Sequence, residues 1–89
     1  MTELSFLLII AGKNDPKSRK AIKNIDRICI NQKFNLTILD LNENPQIAKY
    51  LKVIATPFLI KTLPKPSKKI IGDLSNLTIN YLLEEKNYS

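Results

Sequence analysis

Eighty-nine residues, 44% apolar and 25% charged, have the composition of one globular domain spanning residues 1–89. No run approaches the roughly 20 apolar residues that a bilayer span requires, the single Cys29 forbids an internal disulfide, and the lack of histidine removes the commonest catalytic base and zinc ligand. Fourteen basic against eight acidic residues leave +6, a charge that suits an acidic partner, nucleic acid, or simply solubility.

Phe6-Leu7-Leu8-Ile9-Ile10-Ala11 is a continuous apolar run, too short for a helix and suited to a strand covered on both faces. It follows Glu3 and no basic segment, so it reads as a strand and not as the core of a signal peptide. With one cysteine, a reducing cytoplasm is the expected compartment. Gly12 ends the run. Asp15-Pro16 then supplies an N-cap with proline in the first turn. Ile22, Ile25, Ile28 and Cys29 recur at helical spacing, with Lys17, Arg19, Lys20, Lys23 and Arg27 mostly on the other side, which predicts an amphipathic helix of about four turns.

Phe34–Leu39 reads as a second strand, joined to the first by a right-handed parallel crossover. Asn44-Pro45 repeats the cap-and-proline signal, and Ile47, Ala48 and Leu51 predict a short second helix. Pro57–Ile60 is a third strand, Pro64–Ser67 a turn, and Lys69-Ile70-Ile71 a fourth strand. Gly72-Asp73 breaks it, and Ser75 is placed to cap a last helix running to about Glu85. The order βαβαββα is that of a thioredoxin-like α/β domain. Folds of that kind resemble one another in a cis-proline opening the third strand, so Pro57 is the candidate here.

The chemistry of a thioredoxin-like oxidoreductase is missing. Its nucleophilic thiol belongs near a helix N-terminus, yet Gly12–Ser18 holds no cysteine, and Cys29 falls on the apolar side of the first helix. With two glycines there is no phosphate-cradling loop, and no cofactor, metal or enzymatic activity is expected.

Several strings carry a family resemblance: Ile10-Ala11-Gly12, Asn44–Ala48, Ile54–Leu59 and, most specific, Leu63–Asn76 with Gly72-Asp73-Leu74-Ser75-Asn76 inside it. Together they resemble the KaiB family of circadian clock components over nearly the whole chain. The resemblance implies a non-enzymatic adaptor that binds a KaiC-like hexameric ATPase and kinase and modulates its phosphorylation state. A clock-output histidine kinase is a second implied partner. It also implies two folds for the C-terminal half: a monomeric thioredoxin-like form and a tetramer-forming alternative, so a homo-oligomer (dimer or tetramer) is within reach. Leu77–Tyr81 alternates apolar and polar at the strand period, while Leu74, Leu77 and Tyr81 keep helical spacing, as a switching segment would need. Lys20, Lys61, Lys68 and Lys69 match basic family positions and are the expected partner contacts, with apolar residues near the second helix forming the core of the contact. Pro57, Gly72 and Asp73 are the expected structural or switch positions. Glu43 departs from the lysine that the family usually carries there, which implies a diverged homologue. Two other readings stand beside this one: a KaiB-like regulator outside a complete clock, in stress signalling for example, and a small nucleic-acid-binding module using Lys61, Lys65, Lys68 and Lys69. The second is disfavoured because no aromatic residue interleaves those lysines to stack on bases.

Overall fold

The computed structural model describes residues 3–84. In chain order the elements are β1 (Leu4–Ile10), α1 (Pro16–Ile28), β2 (Phe34–Asp40), α2 (Gln46–Tyr50), β3 (Phe58–Leu63), β4 (Lys68–Ile71) and α3 (Ile79–Leu83). The βαβαββα order expected of a thioredoxin-like domain is the observed one. The strands form one sheet in the order β2-β1-β3-β4, with β1 and β2 parallel and the β1–β3 and β3–β4 pairs antiparallel.

Alternation along each strand divides the side chains between two faces. Leu4, Phe6, Leu8 and Ile10 of β1 and Leu59 of β3 point into a core closed by Ala21, Ile25 and Cys29 and by Leu74, Leu77 and Leu82. That face therefore carries α1 and α3. Ile9 and Phe58 are buried outside this cluster, on the opposite face, where α2 lies beside Leu39.

The local signals explain α1 well. Asp15 is its N-cap, accepting from the Ser18 amide at 3.3 Å and from the Ser18 hydroxyl at 2.8 Å, and Pro16 stands at the first position. At α2 the expected Asn44 cap is not made: the N-cap residue is Pro45, with no side-chain bond to the first turn. The last helix is shorter than its sequence signal. Ser75 does not cap it, because the Ser75 amide is taken by Asp73 Oδ1 at 3.0 Å in a local turn. Thr78 caps instead, accepting from the Tyr81 amide at 3.2 Å, and the helix closes at Leu83; the expected end near Glu85 lies outside the described residues. Tyr81, expected on the apolar stripe with Leu74 and Leu77, is partly exposed, and Leu82 is the buried residue of α3.

Candidate functional site: an apolar face around the second helix

The chain enters α2 from a tightly held loop. Asp40, at the end of β2, accepts from the amides of Gly12 at 3.0 Å and Asn42 at 2.9 Å, tying the β1 and β2 exits together. The exit from α2 is a Schellman motif: the Val53 amide bonds to the Ala48 carbonyl at 2.8 Å and the Lys52 amide to that of Lys49 at 3.3 Å. Lys52 takes the left-handed conformation this requires, at φ 55°. Between the two constraints lies a shallow groove of about 650 Å³ lined by Leu39, Ile47, Tyr50 and Leu51. Tyr50, which lines it, is 86% exposed, and Ile54, just past the α2 exit turn, is 82% exposed. Two large apolar side chains held out in water next to an apolar groove form an exposed apolar patch. Lys49, Lys52 and Glu43 are exposed around it.

Pro57, Gly72, Asp73, Leu74 and Ser75, all singled out from the sequence, gather at the β4–α3 junction. The Thr56-Pro57 bond is cis, and the Pro57 carbonyl accepts from the Gly72 amide at 2.9 Å. Gly72 has φ +114°, a conformation that side chains disfavour, although a Cβ there would meet nothing within 4 Å. Asp73 holds the turn, and its bonds with Ser75, helped by the nearby Lys20 and Lys17, lower its carboxyl below the usual value. Asn24 of α1 donates to the Asp73 carbonyl at 2.7 Å. Leu74, buried, follows at φ 68°, so this junction stores backbone strain.

The lysines expected as one contact set are split. Lys61 and Lys68 are cross-strand partners on the core face, and both are buried. Lys61 Nζ donates to the Pro64 carbonyl at 2.6 Å, and burial with the neighbouring Lys68 pushes its pKa down. Lys68 Nζ donates to the Tyr81 carbonyl, lies 4.2 Å from the centre of the Tyr81 ring, and is 3.9 Å from Glu84. Neither ammonium reaches the surface as a rim charge. Lys69 does, on the sheet face that α2 shares. Lys20 is exposed on α1, on the other face. The four lysines of the alternative nucleic-acid reading are split in the same way, since only Lys65 and Lys69 are exposed. Cys29 is buried at the end of α1, where burial, and secondarily Asp26, raise its thiol pKa and so suppress the thiolate.

A family model described as the KaiB domain matches residues 7–85. The chain belongs to the KaiB family. Among KaiB relatives, the "Circadian clock protein KaiB3" of Synechocystis sp. is 44% identical over 79 residues, covering 85% of this chain and 76% of that protein. The "Circadian clock oscillator protein KaiB" of Trichodesmium erythraeum is 42% identical over 89 residues, covering 90% and 84%. Of solved structures, the N-terminal domain of Synechococcus elongatus SasA superposes with a TM-score of 0.73 at 22% identity, covering 92% of this chain and 81% of that domain. Mitochondrial thioredoxin 3 of Saccharomyces cerevisiae gives 0.62 at 19% identity, over 79% and 67%. This KaiB-family chain thus has a thioredoxin-like fold. Among its described residues no helix is long and apolar enough to cross a membrane.

Proposed function

We propose that this chain is a non-enzymatic clock adaptor that docks through its α2 face on a KaiC-like hexameric ATPase and thereby shifts that enzyme's phosphorylation state, working in the cytoplasm as a single domain. Its membership of the KaiB family and the names of its relatives as clock proteins support the clock setting. The observation that carries the docking surface is the exposure of Tyr50 and Ile54 beside an apolar groove. Lys69 sits on the same sheet face and supplies steering at its rim, while Lys61 and Lys68 act inside the fold.

Burying each of the two side chains against a partner is worth about 1.5–3 kcal/mol. Tyr50→Ala with Ile54→Asp is therefore expected to weaken binding to a KaiC-like ATPase at least tenfold, with an unchanged circular dichroism spectrum and melting temperature, since both residues are nearly free of the fold. Wild-type affinity in that double variant would remove the α2 face from the interface.

A further inference from the structure

Lys68 is an odd residue to find on the core face of β4. A buried ammonium needs acceptors, and all those given to Lys68 come from one short element and the residue after it: the Tyr81 carbonyl, the Tyr81 ring and the Glu84 carboxylate. That carbonyl closes the last turn of α3 by accepting from the Glu84 amide at 3.3 Å, and the ammonium is a second donor on it, so the lysine is tied to the end of the helix. Apolar packing fastens it too, through Leu82 and the partly buried Ile79, and through Leu74 and Leu77 of the turn before it. The helix is five residues long, Leu82 is its one buried residue, and it is reached through a turn with two left-handed residues, Gly72 and Leu74.

We infer that Lys68 is a latch: its ammonium fastens the end of α3 to β4, and α3 with its preceding turn is a strap that opens as a unit while the rest of the sheet stays folded. Opening returns the ammonium to water and uncovers Leu82 together with the core beneath it, so latch and strap move together. Lys61, adjacent and equally buried, is not part of the device, because its bond goes to Pro64 in the β3–β4 turn.

The test is amide hydrogen exchange by NMR on the intact chain. The reporters are Leu82 and Glu84, whose amides bond to the Thr78 and Tyr81 carbonyls, against Leu8 and Leu59 in the sheet. Lys68→Met keeps the volume and removes the charge. It is expected to speed exchange at Leu82 and Glu84 at least tenfold and leave Leu8 and Leu59 within twofold. Lys68→Arg is expected to restore slow exchange, and Lys61→Met to leave the α3 amides slow. Unchanged exchange at Leu82 and Glu84 in Lys68→Met would overturn the latch. So would an equal acceleration of all four amides, which would mean that α3 opens only with the whole fold. Selective acceleration of α3 by Lys61→Met as well would make general core damage the cause.

Discussion

Two lysines decide how this core is read at the level of single residues. Lys61 is fully buried with one hydrogen bond, and burial and Lys68 hold its pKa below the usual 10.5. Folding therefore penalises its charged form. Between the lowered value and 10.5 the unfolded chain binds more protons, so this residue makes stability rise with pH across that window. Lys61→Met removes that contribution. Thermal melts between pH 7 and 10.5 are expected to show the wild type gaining on the variant as pH rises; a constant difference in melting temperature would mean that the ammonium is effectively solvated. No periodicity reveals such a lysine. In the sequence Lys61 and Lys68 look like Lys65 and Lys69, and only the pairing of β3 with β4 shows that two of the four point inward.

Among the elements, α2 combines a start without a side-chain cap with the exposed Tyr50, and the exposed Ile54 follows its exit. Asp40 fixes its entry and a Schellman turn its exit, and that turn places Lys52 at φ 55°. Left-handed backbone costs a side chain roughly 1–2 kcal/mol, partly offset in a glycine variant by the greater freedom of the unfolded chain. Lys52 is exposed, so Lys52→Gly is expected to stabilise the fold by about 0.5–1 kcal/mol, read from the urea midpoint at an unchanged slope. A destabilised variant would mean that the lysine side chain contributes packing that its exposure hides. Strands and α1 were legible in the sequence because burial period, cap and proline agree there. The apolar run of β1 marks a strand covered on both faces, and Asp15-Pro16 does cap α1. The start of α3 differs from its sequence signal because Ser75 and Thr78 are equally good caps in composition, and the choice falls to Asp73, which claims the Ser75 amide first. The docking face was only half legible. Ile47 and Leu51 follow a helical stripe, and Tyr50 and Ile54 fall at its i+3 and i+7 positions, but nothing local says that those two stay uncovered.

For the whole molecule, the exposed apolar face at α2 and most of the net positive charge lie on opposite sides. Seven basic and two acidic residues fall between Lys13 and Lys33, so α1 and its flanks carry +5 of the total +6. Lys20, Lys23 and Arg27 are all exposed there, across the sheet from α2. A helix stacks about 10 Å from a sheet or a neighbouring element, so across the sheet those charges stand roughly 20 Å from a partner seated on the α2 face. The Debye length is about 8 Å at 0.15 M salt and about 30 Å at 0.01 M. At physiological salt the field of α1 is therefore screened to about a tenth at the interface, whereas at low salt about half of it reaches the partner. Reversing Lys20, Lys23 and Arg27 to Glu is expected to leave the association rate with a KaiC-like ATPase within twofold at 0.15 M, and to change it several-fold at 0.01 M. Lys69→Glu, on the docking side, is expected to slow association at both. Stopped-flow binding at the two salt concentrations separates the cases. If the triple reversal slows association several-fold at 0.15 M, the partner touches α1 directly, Lys20 becomes a contact residue, and the interface is not confined to the α2 face.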